Sequence, residues 1–178
     1  SGTHGFTAGG VNGAGTISNV DTFAFAGSSV TATDHGNLLY GSTQQCGHSS
    51  VTHGFYSGDN NASQSPAPIV KYPFSTASDL TDHGDLTNSS WKDHAVFSGP
   101  NDGFIAGGYR GAPNSGVTDK VNKFSYTSNV MSTDHGTLSA TWRGGVGVST
   151  ETHGYICTGE NALPGTAWPT TDIQQFSY

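Results

Sequence analysis

Eight histidines in a chain of 178 residues, only 11% of them charged, make imidazole a prominent candidate for metal binding. Three of them follow an aspartate, as Asp34-His35, Asp82-His83 and Asp134-His135, each inside a Thr-Asp-His-Gly string. Three more, His4, His53 and His153, each open a His-Gly-aromatic string. If the Asp-His pairs faced one channel, carboxylate and imidazole could hold zinc or a similar ion and support a metal-dependent enzyme. Neighbouring residues on a strand point to opposite faces, however, so an adjacent Asp and His do not readily share one ion. The strings favour a structural use: Thr and Asp accept backbone N–H groups at a turn, Gly takes a positive φ, and His bonds across to the next unit. Asp102 replaces the histidine in the third His-Gly string, so imidazole is dispensable there. No metal ligand is assigned.

Nucleophilic catalysis needs a nucleophile, a base and an orienting acid brought together once. Here the polar residues recur at regular intervals, which argues for architecture and against an enzyme; no catalytic residue and no cofactor is expected. The turn Gly9-Gly10-Val11-Asn12-Gly13 is followed by neither a helix nor a Lys-Ser/Thr pair, so it is no phosphate loop. Cys46 and Cys157 lack a CxxC partner and fall on different strand types of non-adjacent units. A bridge between them would need ring closure; the plain expectation is two buried free thiols.

The elements that position these residues form a repeat. Thr3-His4-Gly5-Phe6 returns as Thr52-His53-Gly54-Phe55, Asn101-Asp102-Gly103-Phe104 and Thr152-His153-Gly154-Tyr155, with starts 49, 49 and 51 positions apart. The Asp-His-Gly string, with Leu38, Leu86 or Leu138 two residues on, has three copies and no fourth. Between the two strings lies an alternating aromatic pair: Phe23 and Phe25, Tyr72 and Phe74, Phe124 and Tyr126, Phe176 and Tyr178. The units run over 3–51, 52–100, 101–150 and a half-unit at 151–178, all within a single repeat domain.

Each unit reads as four short strands. The first carries the His-Gly-aromatic string, the second the aromatic pair, the third surrounds Asp-His-Gly-x-Leu, and the fourth is a small-residue run leading into the next unit. In the second strand, period-2 alternation places Val121 and Lys123 on one face, with Asn122, Phe124 and Tyr126 on the other, which assigns the aromatics to a buried face. Composition agrees: 26 glycines and few charges suit short strands and turns better than amphipathic helices. A net charge of −7 with only six Lys plus Arg leaves no basic stripe for nucleic acid. No window approaches eighteen consecutive apolar residues, so no membrane insertion is expected. A start at Ser1 without Met fits a processed protein or a piece of a longer one.

A unit of this length, with four strands and Gly-Gly after its first strand (Gly9-Gly10, Gly107-Gly108), resembles the blade of a kelch-like β-propeller. The resemblance covers the whole chain, although the usual Tyr and Trp spacing is replaced by the Phe/Tyr pair and Asp-His-Gly is not a kelch hallmark. It implies an all-β fold of four-stranded antiparallel blades, about three and a half per chain. The Thr-Asp-x-Gly-x-Leu repeats also look like those of phage and marine microbial structural proteins, which implies a virion or extracellular location.

Three and a half blades close no ring, and open sheet edges recruit other chains. A homo-oligomer or filament is therefore the expected assembly. The connections differing most between units, over 60–68, 110–116 and 161–169, are where recognition of a carbohydrate or cell-surface receptor would lie. Tyr109, Arg110 and Trp168 are its candidate contacts, since aromatics and Arg dominate contact energy and stack on sugars. Their structural alternative is to cover strand edges. Asn61-Ala62-Ser63 and Asn88-Ser89-Ser90 are candidate N-glycosylation sites, with Asn61 favoured by its long polar loop.

Overall fold

A computed structural model describes residues 1–27, 30–59, 66–113, 115–157, 159–163, 166–169 and 172–178, with backbone alone at 161–163 and 166–169. The chain is all-β. β1 (His4–Ala8) is followed by a short hairpin of β2 (Val11–Asn12) and β3 (Gly15–Thr16), then by β4 (Asn19–Ala24) and β5 (Thr33–Asn37). The first sheet has the order β1-β4-β5. The second, β6-β7-β8-β9, is built from β6 (Cys46–Ser49), β7 (His53–Ser57), β8 (Pro68–Pro73) and β9 (Thr81–Asp85).

The third sheet contains β10 (Trp91–Lys92), β11 (Ala95–Ser98), β12 (Asp102–Ala106), β13 (Tyr109–Arg110), β14 (Gly116–Ser125) and β15 (Thr133–Arg143). Its central path is β11-β12-β14-β15, and β13 joins β10 to the early half of β14. Next come β16 (Val146–Ser149), β17 (His153–Cys157), β18 (Glu160–Leu163), β19 (Thr166–Pro169) and β20 (Ile173–Ser177). The last sheet is β16-β17-β20, while the β18-β19 hairpin extends β15. Four strands per unit was too few, because the variable connections themselves pair. Thr, Val, Tyr and Trp in them suit extended backbone.

One pairing rule links the units. The strand that closes one unit joins the first strand of the next, as β6 with β7, β11 with β12 and β16 with β17. The register is constant, with Ser49 opposite Gly54, Ser98 opposite Gly103 and Ser149 opposite Gly154.

The sheets bury both faces. Phe124 and Tyr126 pack with Phe55, Ile69 and Trp91, as the alternation of the aromatics predicts. Val121, on the opposite face, is also fully buried, in a second core with Phe97, Phe104, Leu138 and Trp142. The aromatic face is buried as expected, and the opposite face is buried as well, since neighbouring units cover this sheet from both sides. Each fully buried Phe, Ile or Val contributes roughly 1.5–3 kcal/mol. One aromatic contact recurs between units: Phe6 stacks on Phe74, Phe55 on Tyr126 and Phe104 on Tyr178, with ring centroids 5.2, 4.7 and 5.4 Å apart.

Candidate functional site

The Asp-His-Gly strings form β-bulges. In each, the partner strand steps from Gly to Asp and leaves the histidine as the extra residue: Val20 faces Gly36 and Asp21 faces Asp34, and the pattern repeats around His83 and His135. The carboxylate accepts the backbone N–H two residues on, Asp34 from Gly36 at 3.1 Å, Asp82 from Gly84 at 3.3 Å and Asp134 from Gly136 at 3.2 Å. The bulge, a finer geometry than the turn expected from sequence, turns each imidazole edge-on or tilted against a first-strand Phe. Phe6–His35, Phe55–His83 and Phe104–His135 all have centroids 5.0 Å apart.

Two of these histidines bond across to the next sheet. His35 Nε2 donates to the Pro73 carbonyl at 3.0 Å and His83 Nε2 to the Ser125 carbonyl at 2.8 Å. Gly36 and Gly84 have φ of 143° and 128°, and a Cβ on either would strike the backbone of Ser78 or Val130 in the following unit. Backbone hydrogen bonds from Ser78 to His35 and from Ser132 to Asp85 complete each clasp. Gly136 differs: it has nothing within 4 Å of its Cβ position. Burial holds the His83 and His135 imidazoles below their ordinary pKa. Among the described residues, no three His, Cys, Asp or Glu side chains converge as metal ligands.

The candidate binding residues are dispersed. Tyr109 and Arg110 lie on β13, not in a loop, paired with Lys92 and Trp91. The Arg110 guanidinium is 5.6 Å from the Trp91 ring centre and Lys92 Nζ is 5.5 Å from that of Tyr109, so both join the local packing. Tyr109 keeps 37% exposure. Trp168 is opposite Asn161 in the β18-β19 hairpin; its side chain lies outside the described residues. Asn61 also lies outside the described residues. Asn88 is buried and its Nδ2 donates to the Gly111 carbonyl at 3.2 Å, so a glycan on that nitrogen would displace an internal bond with no route out of the fold.

A buried polar group with no repeated motif in the sequence lies around β6 and β7. Ser42 Oγ donates to Asp59 at 2.6 Å, and His48 Nε2 is 2.7 Å from Ser57 Oγ. A serine hydroxyl beside an imidazole is the start of a nucleophile, yet Ser57 is 0% exposed and no substrate reaches it. Burial, with a smaller contribution from His94, lowers the His48 pKa to about 3. Burial likewise lowers that of His94 to about 4, against the opposing effect of the backbone at Ser57 and Trp91. Neither histidine belongs to a repeated string. Their signal in the sequence was indirect: His48 occupies the place of Phe97 and Val148, a core position in an inner strand. Cys46 and Cys157 are free and half-buried rather than fully buried, and the Cys46 thiol, which donates to the His94 carbonyl at 3.2 Å, is pushed up to about 11 by burial and then by Asp93.

Two sheets are unfinished among the described residues. The last has no counterpart of β5, β9 or β15 beside β20, and the first has no counterpart of β6, β11 or β16 beside β1. The consequence at β20 is measurable. Ile173 aligns with Val20, Ile69 and Val121, each 0% exposed under the third-strand leucine of its unit, whereas Ile173 is 66% exposed. Val148, aligned with the buried Phe97, is 51% exposed, and Phe25 at the opposite end is 60% exposed.

No family model matches the chain, and no significant match is found among curated proteins.

Proposed function

We propose that the chain is a non-enzymatic, kelch-like β-propeller module of an extracellular filament or virion, joining further copies of itself through its unfinished sheets. The four-stranded β6-β7-β8-β9 sheet and β11-β12-β14-β15 path support a blade-like unit, and the His35 and His83 hydrogen bonds between adjacent sheets support its stacking. The observation that carries the reading is Ile173, a core position left 66% exposed. Exposed apolar positions of this kind, rimmed by unpaired strand edges, mark interaction surfaces. Extending the recurring stack by one step would place Tyr155 of one copy on Phe25 of the next.

Sedimentation over a range of concentrations tests this. The chain should associate, and Ile173→Glu or Phe25→Ser should return it to a monomer with its melting temperature retained. A parent chain that stays monomeric at high concentration would rule the reading out. A second reading, an adhesion module binding carbohydrate or a receptor, draws on the part-exposed ring of Tyr109; a glycan array of parent against Tyr109→Ala tests it.

A further inference from the structure

We propose that the turn joining β5 to β6 holds a calcium ion against the second sheet, bound by the side-chain oxygens of Asp59 and Gln45 beside the Tyr40 hydroxyl. One backbone hydrogen bond recurs along the chain: Gly10 N–H donates to the Ser42 carbonyl, Asp59 N–H to that of Trp91 and Gly108 N–H to that of Trp142. That bond makes Ser42 the counterpart of two tryptophans and Asp59 the counterpart of two glycines. Trp91 and Trp142 are buried core residues. Where the turn before β6 meets the second sheet, a hydroxyl and a carboxylate stand in place of indole and glycine.

The direction of the Asp59 side chain follows from its glycine counterparts. A Cβ on Gly108 would lie 2.6 Å from the Lys92 carbonyl oxygen and 2.8 Å from His94 Cβ. One on Gly159, at the same place in the last unit, would lie 2.6 Å from the Arg143 carbonyl oxygen and 3.2 Å from Gly145 N. Counted back from β6, β11 and β16, Lys92 and Arg143 correspond to Thr43, and His94 and Gly145 to Gln45. Asp59 therefore projects toward the turn that carries Gln45. Ser42 Oγ in that turn donates to Asp59 Oδ1 at 2.6 Å.

Asp59 is 1% exposed, yet its Oδ2 has no hydrogen-bond partner. Gln45 Oε1 and the Tyr40 hydroxyl are in the same state, buried and unpartnered. Both of these residues line one cavity of about 10 Å³ with Leu38, Leu39, Pro68 and Val70. A space of that size holds one water or one ion. Burial, then the charges of Asp59 and Asp85, push the Tyr40 phenol above its ordinary pKa, so both carboxylates lie within electrostatic reach of it. A buried carboxylate with an unpaired oxygen is strongly unfavourable until a cation or a donor joins it. The available donors are a carboxylate, an amide carbonyl and a phenol, all oxygen, which suits a hard cation. Asp59 in contact and Asp85 further out balance a double charge. Calcium takes carboxylates, Gln carbonyls and waters in a flexible shell, whereas magnesium demands a near-ideal octahedron. All the protein donors come from one chain, so the site is independent of self-association.

The test uses the full chain, stripped with EDTA and shown to be calcium-free by elemental analysis, with calcium chloride as the probe. Calcium should bind with a Kd of about 1 mM or below, the range of extracellular calcium modules, and raise the thermal midpoint. Amide NMR should show the shifts at residues 40–46, 58 and 59. Asp59→Asn keeps the side-chain shape and removes its charge. Without calcium this variant should melt at or above the parent, because an unneutralised buried charge is gone. It should bind calcium at least about tenfold more weakly. Gln45→Met, which removes the carbonyl from a half-buried side chain, should also weaken binding while the fold is retained. The inference is overturned if neither the spectrum nor the midpoint responds up to about 10 mM calcium, or if sodium chloride of equal ionic strength gives the same response. Shifts confined to exposed carboxylates such as Asp34 and Asp134, or equal calcium binding by Asp59→Asn, would overturn it too and leave a water at Asp59.

Discussion

His83 Nε2 donates to the carbonyl oxygen of Ser125 at 2.8 Å, joining the third strand of one sheet to the second strand of the next, while its ring packs 5.0 Å from that of Phe55. The imidazole is buried, and so is the bond it makes. His83→Ala removes the donor and opens space beside Phe55, so the cost should be about 1–3 kcal/mol. Urea denaturation of parent and variant measures it. A loss below about 0.5 kcal/mol, the range of ordinary surface substitutions, would remove the clasp from the stability argument.

The same motif supplies an internal control. Gly84 has φ of 128° and its absent Cβ makes way for the Val130 backbone, whereas Gly136 has nothing within 4 Å of its Cβ position. Gly84→Ala should destabilise the fold by more than about 1 kcal/mol, and Gly136→Ala by less than about 0.5 kcal/mol. Comparison of their thermal midpoints decides whether close approach between units, rather than the string as such, requires the glycine.

Acid sensitivity follows from His48 and His94. Both are held below the ordinary value of 6.5, to about 3 and about 4, because burial disfavours the imidazolium. Between those limits the unfolded chain binds more protons than the folded one, so their contribution is intact above pH 6.5 and is lost as pH falls toward 4 and then 3. Histidine NMR should show both rings neutral from pH 8 to about 5, with the denaturation midpoint declining over the lower part of that range. Protonation of either ring near pH 6.5 in the folded protein would contradict the burial argument.

Trp91 ties the β10 ribbon to the core. It is fully buried, its Nε1 donates to the Gly107 carbonyl at 2.6 Å, and Arg110 lies over its ring. Trp91→Phe keeps most of the apolar surface but leaves the carbonyl unpaired, at a cost of about 1–3 kcal/mol. Chemical denaturation reads the loss, and hydrogen exchange at residues 109–111 should rise with it.

The recurring strands and their aromatic pairs were legible from the sequence, because period-2 alternation and glycine-bounded strings are local properties of extended chain. The use of Asp-His-Gly was partly legible: the carboxylate-to-backbone bond lies within three residues, but the bulge that turns His35 and His83 toward the next sheet depends on pairing with β4 and β8. Tertiary structure alone decided that Val121 is as buried as Phe124, since burial of the second face needs a neighbouring unit. It also decided that Asn88 faces inward, that His48 and His94 are enclosed, and that Ile173, whose type and spacing match three core residues, lies open. A residue's own sequence states what it could bury, but only the presence or absence of a packed neighbour determines whether water has left it.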